Sequence, residues 1–238
     1  MYKILFIGIG KMGFPMAGFL SEKYEVSVYN RSKEKISIWK KKYGGNAVDN
    51  LNQLDEKFDF IISCIGNDDD LREITSNDTG CFNAIRKNTI FIDHSTVSPK
   101  IVQELELKLK EKEAFFLDAP ISGGQLGAEK GQLSIMVGGD KNAFNKSESI
   151  FEVYGKKRKY MGSSGSGQLT KIINQICIAG LVQGLSESIY FMKQTKLNPE
   201  DVLDVISSGA AQSWQMDNRF MTMTENKFDF GFAVDLMR

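Results

Sequence analysis

The sequence has few residues of the kinds that bind metals or form cross-links. It contains one histidine, His94, and three widely spaced cysteines, Cys64, Cys81 and Cys177. An odd number of scattered cysteines without a C-x-x-C motif argues against a disulfide framework and a zinc site, and it suits a reducing, cytoplasmic environment. Because no cluster of ligand residue types surrounds the one histidine, we expect no metal centre.

The sequence also has no excess of positive or negative charge and no long apolar run. Thirty basic and thirty acidic side chains cancel, so no overall field would attract nucleic acid or an anionic membrane. No uncharged run approaches the ~20 apolar residues of a transmembrane helix, and no signal-peptide pattern opens the chain. The 238 residues are enough for two domains. The composition is ordinary for a soluble globular protein.

A glycine-rich motif directly follows the first predicted strand. The apolar run YKILFIGI (2–9) leads into Gly8-Ile9-Gly10-Lys11-Met12-Gly13, and a helix is predicted from Phe14 to Leu20. In this strand–turn–helix setting the first glycine forms the turn, the second lets the backbone approach a pyrophosphate, and the third lets helix pack on strand. We therefore predict that these six residues bind a dinucleotide. The alternative is an ordinary strand-to-helix turn.

The end of the next strand bears on the choice of cofactor. An NAD site usually has a carboxylate here for the ribose 2′-hydroxyl, whereas this chain has Asn30, Arg31 and Ser32 after the strand 26–29. A guanidinium can bind a 2′-phosphate through paired hydrogen bonds. The pattern predicts NADP(H); the alternative is a solvated loop charge at Arg31.

Further buried strands are predicted at residues 58–65, 89–93, 115–117 and 133–138. The three aspartates after the first of these are predicted to begin a helix, not to bind a metal. The strand 89–93 ends in Asp93-His94-Ser95-Thr96. Since Asp93 points away from His94 on a strand, His94 lacks an orienting carboxylate, and Thr96 is the better candidate for contacting a nicotinamide.

Two later segments carry candidate substrate-binding groups. In DAPISGG (118–124), Ser122, Gly123 and Gly124 expose a hydroxyl and backbone N–H groups that suit a carboxylate; the alternative is a plain glycine loop. In the predicted helix 168–193, Lys171, Asn174 and Gln175 lie at i, i+3 and i+4 and share one face. We predict that this face meets a small hydroxy or oxo acid and that Lys171 handles its proton. The alternative is a lysine that snorkels to solvent.

The same long helix is apolar nearly all round from residue 169 to 185, which predicts burial on several sides. Shorter helices are predicted near Pro199 and from Ser213 to Met223. The methionines and Trp214 in the last of these are interpreted as packing residues.

Four motifs in this order resemble the β-hydroxyacid dehydrogenase family, which includes 3-hydroxyisobutyrate dehydrogenases, tartronate semialdehyde reductases and glyoxylate/succinic semialdehyde reductases. The motifs are GIGKMG (8–13), DHSTVSP (93–99), DAPISGG (118–124) and GSGQLTKIINQ (165–175). The resemblance implies an α/β fold in which a Rossmann doubly wound sheet (1–162) precedes an all-α substrate and dimerisation domain (163–238).

The resemblance also implies roles for individual residues. Lys171 would be the catalytic acid/base, Asn174 would position the substrate, and Ser122 to Gly124 would hold its carboxylate. Phe232 matches a pocket phenylalanine of the reductases. The glycine motif and Arg31 would hold the cofactor, with Thr96 near the nicotinamide. Asn30-Arg31-Ser32 looks like the NADPH-using branch.

Family members continue beyond the equivalent of Arg238 and place a further functional lysine and aspartate there. We therefore expect an incomplete helical domain, exposed apolar surface and a homo-oligomer. The predicted function is NADPH-dependent reduction of a short aldehyde acid. The alternatives are an NAD-dependent 3-hydroxyisobutyrate-type dehydrogenase and a catalytically silent dinucleotide-binding module.

Overall fold

The computed structural model describes residues 1–54, 57–76 and 78–228. The chain forms two compact units, which meet in the sequence between Lys171 and Ile172. This division falls inside a helix, later than the predicted domain boundary between residues 162 and 163.

Strands and helices alternate along the first unit. Its strands are β1 (Lys3–Ile7), β2 (Glu25–Tyr29), β3 (Asn46–Ala47), β4 (Phe60–Ser63), β5 (Ile90–Asp93), β6 (Phe115–Asp118), β7 (Ile121–Ser122), β8 (Leu133–Gly139) and β9 (Gly155–Gly162). Its helices are α1 (Gly13–Ser21), α2 (Lys33–Tyr43), α3 (Asp68–Ile74), α4 (Pro99–Glu111), α5 (Gly124–Glu129) and α6 (Lys141–Tyr154), followed by the start of α7 (Ser166–Lys193). A 3₁₀ turn covers Cys81–Ala84.

Six neighbouring strands pair in parallel in the order β3-β2-β1-β4-β5-β6. This is the strand order of a doubly wound dinucleotide-binding sheet, in which ligands lie at the carboxyl ends of the strands where the order reverses. Here the reversal lies between β1 and β4. The sheet continues through β8, which is antiparallel to β6, and β9 pairs with β8 in parallel. The predicted α/β Rossmann fold is confirmed.

The central parallel strands, β1, β4 and β5, are buried on both faces. In β1, Ile4 and Phe6 belong to one apolar cluster and Leu5 and Ile7 to another. Because successive side chains of a strand point to opposite faces, a strand covered by helices on both sides needs a continuous apolar run. That run is what made the strands predictable from the sequence.

The aspartate run after β4 has the predicted structural role. Asp68 to Asp70 form the first turn of α3, and the side chain of Asn67 caps the helix by accepting a hydrogen bond from the Asp70 N–H at 2.9 Å. Carboxylates are favourable at this positive end of a helix. The three aspartates thus stabilise a helix terminus.

The second unit is helical in its described part, as predicted. The remainder of α7 is followed by α8 (Pro199–Ser207) and α9 (Trp214–Thr224). A small core joins α7 and α9 through Leu185, Ile189, Met192, Met216 and Phe220. Met216 packs as interpreted, whereas Trp214 is half exposed with the Arg219 guanidinium over its ring.

The predicted burial of α7 on several sides is wrong for the chain by itself. Ile173 and Ile176 are 63% and 67% exposed, and Tyr190 and Phe191 are also largely exposed. Among the described residues, α7 is also long and apolar enough to cross a membrane, a test that core helices of soluble proteins can pass as well. Apolar residues at helical spacing predict that a helix face is buried, but they do not identify what packs against it.

Candidate functional site

The glycine motif forms the turn from β1 into α1. Gly8 has φ +93°, and a Cβ there would meet the Cys64 carbonyl oxygen at 2.4 Å. A Cβ on Gly13 would lie 2.0 Å from the Gly8 carbonyl oxygen and 2.9 Å from the Phe6 ring. A Cβ on Gly10 would meet nothing within 4 Å. The first and third glycines are therefore required by the protein's own packing, and the second leaves open space at the turn.

The N-terminus of α1 fits an anionic group. Met12 precedes the helix without a side-chain cap, and the first turn contains no acidic residue. The first N–H groups of a helix carry partial positive charge and need acceptors. Together with the open space at Gly10, these groups fit the pyrophosphate of a dinucleotide. Lys11 is exposed beside the turn, while Ile9 is buried in the core.

The next loop contains the three residues that bear on cofactor choice. The Asn30 amide donates to the Ser32 carbonyl at 3.3 Å, which holds the turn, and Ser32 is the residue before α2. Arg31 Nη1 lies 3.0 Å from Asp70 Oδ1. The arginine side chain is 71% exposed, so its guanidinium is accessible while it forms this ion pair.

Lys171 lies beside the segment predicted to bind a carboxylate. Its Nζ donates to the Ile121 carbonyl oxygen at 2.8 Å, and Ser122, Gly123 and Gly124 follow directly. Gly123 has φ +132° and Gly124 φ +60°, which favour glycine at both positions. These two residues lead into α5, so the segment is a two-residue strand followed by a short helix and not the plain glycine loop that was the alternative.

The electrostatics of Lys171 suit proton transfer. Only 7% of the residue is exposed, and burial lowers the pKa of its amine from 10.5 to about 8. Burial has this effect because a poorly solvated environment disfavours the charged form. An ammonium has three N–H bonds, and Ile121 accepts one of them.

Two residues that sequence reasoning missed hold the start of α7. The Asp118 carboxylate, at the end of β6, accepts hydrogen bonds from the Gly165 and Gln168 N–H groups, both at 2.9 Å. Burial raises the pKa of Asp118 to about 6, and these bonds oppose that rise. The Gln168 side chain in turn bonds the backbone on both sides of Thr96. In the sequence, the signals that could have pointed to them are an aspartate at the end of a predicted strand and a glutamine within an apolar helix.

His94 is part of the core. Because the Ala119 carbonyl can only accept, the 2.6 Å contact identifies Nδ1 as the protonated nitrogen, and Nε2 accepts from the Tyr154 hydroxyl at 2.8 Å. Burial lowers the pKa of His94 to about 4. The neighbouring Asp93 carboxylate bonds Ser63 and Ser95 instead. His94 is thus a neutral structural residue, in line with the sequence interpretation.

The remaining candidates are Thr96, Asn174 and Phe232. Thr96 is exposed at the carboxyl edge of the sheet, just after β5. Asn174 is half buried on α7 in the second unit, and its amide donates to Gln175 Oε1 at 3.0 Å. Phe232 lies outside the described residues. Across the described ranges, no group of three or more potential ligand side chains could hold a metal.

Comparisons with known proteins agree with this geometry. The sequence model of the NAD binding domain of 6-phosphogluconate dehydrogenase matches residues 3–162. A second model, described as NAD-binding of NADP-dependent 3-hydroxyisobutyrate dehydrogenase, matches residues 165–238.

Similar proteins extend over nearly the whole chain. An uncharacterized oxidoreductase of Shewanella frigidimarina is 45% identical, covering 100% of this chain and 82% of the relative. The 2-hydroxy-3-oxopropionate reductase of Escherichia coli is 31% identical, covering 98% and 80%. The structure of Mycobacterium tuberculosis 3-hydroxyisobutyrate dehydrogenase with L-serine superposes with a TM-score of 0.85 and 26% identity, covering 100% of this chain and 83% of that chain.

Proposed function

The chain belongs to the β-hydroxyacid dehydrogenase family of NAD(P)-dependent oxidoreductases, and on that premise we propose that it reduces a short aldehyde acid with NADPH. Glyoxylate, succinic semialdehyde and tartronate semialdehyde represent the substrate class. Lys171 is the proton donor in this proposal. The observation that carries it is the buried Lys171 amine 2.8 Å from the Ile121 carbonyl, at the entrance to Ser122-Gly123-Gly124.

The residues of the first unit fit a dinucleotide. The turn at Gly8, Gly10 and Gly13 and the uncapped start of α1 would hold the pyrophosphate. Arg31 would bind the 2′-phosphate, because no carboxylate stands at the end of β2 to repel it. When bound, the reduced nicotinamide supplies a hydride. The name of the family model that matches residues 165–238 includes NADP dependence, which supports this choice.

The substrate carboxylate would bind at Ser122, Gly123 and Gly124. A hydroxyl and consecutive backbone N–H groups in a glycine-rich turn are suited to an anion. Lys171 is linked to the same segment through Ile121, so a carbonyl a few bonds away from a carboxylate bound there would come within reach of the amine. Asn174 would orient a hydroxyl or carbonyl oxygen of the substrate.

The proton transfer follows from the ionisation of Lys171. As hydride adds to the carbonyl carbon, the C=O π bond becomes an O–H bond with a proton from the ammonium, and the neutral amine later regains a proton from water. A pKa of about 8 lets the same amine donate in reduction and accept in oxidation. Before transfer, the positive charge stabilises the developing oxyanion.

The test compares Lys171→Met with the wild type and with Lys130→Met, which alters an exposed lysine after α5. Each protein is assayed with NADPH against the three aldehyde acids, and NADPH binding is measured separately. Lys171→Met should lose about 10²- to 10⁴-fold in turnover with little change in NADPH binding, and Lys130→Met should behave as wild type. Turnover of Lys171→Met within tenfold of wild type would show that another group donates the proton.

Two further outcomes would replace the proposal. Faster initial rates with NADH than with NADPH would favour a 3-hydroxyisobutyrate-type dehydrogenase. A rise in melting temperature with NADPH, without oxidation of NADPH by any of the acids, would identify a binding module without activity.

A further inference from the structure

We propose that Gln168 is a positioning residue that fixes Lys171 relative to the Thr96 loop. Its side chain clamps the backbone on both sides of Thr96 while its own backbone belongs to the helix that carries Lys171. The roles of Lys171 and Thr96 in this inference rest on the proposed function, whereas the clamp is a property of the first unit alone.

The clamp consists of two hydrogen bonds from one buried amide. Gln168 Nε2 donates to the Ser95 carbonyl oxygen at 2.8 Å, and Oε1 accepts from the Val97 N–H at 3.3 Å. The residue is 1% exposed. Thr96 stands between these two bonded residues and is itself exposed. The backbone is therefore held on both sides of Thr96, while the threonine itself stays accessible to a ligand.

Few side chains could replace this amide. It offers a donor and an acceptor on one planar group, which here bind the C=O of residue 95 and the N–H of residue 97. Asparagine is shorter by one methylene group, and methionine has a similar length but no strong hydrogen-bonding groups. An ionised glutamate would keep the acceptor and lose the donor.

The helix end of the clamp is also fixed. The Gln168 N–H donates to Asp118 Oδ2 at 2.9 Å, and the Gly165 N–H donates to Oδ1 of the same carboxylate at 2.9 Å. A Cβ on Gly167 would lie 2.5 Å from the carbonyl oxygens of both Asp118 and Met136. The first turn of α7 is thus packed directly against β6 and β8, and it has little freedom to move.

Because the clamp fixes the first turn of α7, it also fixes the position of Lys171 on that helix. Residues three apart on a helix are neighbours, so the backbone of Lys171 lies one turn from the clamp. If the Thr96 loop contacts the nicotinamide, Gln168 sets the distance between the hydride donor and the proton donor. Misplacement by about 1 Å can cost about 100-fold in rate.

The first experiment measures Gln168→Met, with Thr170→Val as the matched control. Thr170 donates within α7 to the Ser166 carbonyl, so the control removes a bond from the same turn without touching the clamp. We expect kcat of Gln168→Met to fall 10- to 100-fold, the NADPH dissociation constant to change less than threefold, and the isotope effect with deuterated NADPH to increase. A kcat within twofold of wild type, or an equal loss in Thr170→Val, would overturn the proposal.

The second experiment uses Gln168→Glu as a conditional rescue. A protonated carboxyl has one O–H donor and one acceptor, and can therefore bond Ser95 and Val97 as the amide does. Burial raises the pKa of such a carboxyl, so the ratio of this variant's kcat for reduction to that of the wild type should increase at least tenfold as the pH falls from 7.5 to 5.5. Taking the ratio removes the titration of Asp118, which both proteins share. A variant with the same pH profile as wild type would contradict the clamp.

A measurement on the wild type separates this inference from the proposed function. The Val97 amide should be protected from hydrogen exchange as strongly as the Gln168 amide, because both belong to one cooperative network. If the wild type reduces none of the acids, the proposed function fails but this protection should remain. Exchange of the Val97 amide more than 100-fold faster than that of Gln168 would overturn the clamp, whatever the substrate.

Discussion

The Lys171 amine and the Ile121 carbonyl oxygen are joined by a 2.8 Å hydrogen bond between the start of α7 and β7. This bond orients the amine in a buried setting, and it ties the amine to the strand that leads into Ser122 and the paired glycines. An amine held in this way has a lowered pKa, a fixed position and a neighbouring segment that we propose binds a carboxylate. The combination favours proton transfer over simple snorkelling.

The pKa of Lys171 predicts opposite pH profiles for the two directions of the reaction. Reduction needs the ammonium, so kcat/KM should be flat below pH 8 and fall above it, because the amine loses its proton at a pKa of about 8. Oxidation needs the neutral amine, so kcat/KM should rise up to about pH 8 and then level off. Initial rates in both directions from pH 6 to 10 test this, and a shared profile would argue against Lys171.

Arg31 and Asp70 predict how cofactor preference can be changed. Their ion pair is exposed on the arginine side, and exposed pairs contribute only ~0–1 kcal/mol, so a 2′-phosphate can compete for the guanidinium. Arg31→Ala should weaken NADPH binding about 10- to 100-fold and NADH binding less than threefold. Asp70→Asn removes a competing negative charge and should tighten NADPH binding about threefold.

Titration of each variant with both cofactors provides the measurement. Equal losses of NADPH and NADH affinity in Arg31→Ala would contradict the assignment of Arg31 to the 2′-phosphate. Lys33→Ala is the control, since this exposed lysine lies two residues further on and pairs loosely with Asp49 at 3.9 Å.

His94 predicts a stability effect without a catalytic one. Its folded pKa is about 4 against an ordinary 6.5, so at this residue the unfolded chain binds more protons between these values, and the contribution of His94 to the free energy of unfolding decreases as the pH falls from 6.5 to 4. His94→Leu would leave the Ala119 carbonyl and the Tyr154 hydroxyl without this partner, which should cost about 2–4 kcal/mol at pH 7. The variant should lose this contribution of His94 to the pH dependence of stability.

Denaturant unfolding at several pH values checks these effects, together with kcat at a temperature where the variant is folded. We expect kcat within threefold of wild type. A much larger loss of kcat in folded His94→Leu would identify a catalytic role that the buried, neutral ring does not suggest.

The sequence predicted those parts of the molecule in which local pattern and tertiary structure agree. The central parallel strands are continuous apolar runs because helices cover both faces, and the glycine turn has a fixed spacing, so both are visible in a single chain. Errors at strand ends are one or two residues, as β5 shows by beginning at Ile90 and not at Thr89.

The missed features depend on contacts between distant parts of the chain. Asp118 and Gln168 are 50 residues apart in sequence, and no local pattern shows that a carboxylate at the end of β6 will cap α7. The short elements β7 and α5 were missed because Gly123 and Gly124, which usually mark loops, supply positive φ at a strand-to-helix turn. The burial of α7 was predicted wrongly because the spacing of apolar residues identifies a helix face but not what packs against it.

The two glycines Gly10 and Gly13 predict separable defects in binding and folding. A methyl group on Gly13 would collide with the Gly8 carbonyl oxygen at 2.0 Å, so Gly13→Ala should destabilise the protein by about 2 kcal/mol or more. A methyl group on Gly10 meets no protein atom within 4 Å, so Gly10→Ala should keep its melting temperature within about 2 °C. The added methyl would nevertheless occupy the space where a pyrophosphate approaches the backbone, and dinucleotide affinity should fall at least tenfold. Melting curves with and without NADPH distinguish these effects: if Gly10→Ala is stabilised by NADPH as strongly as wild type, the cofactor does not bind against this turn.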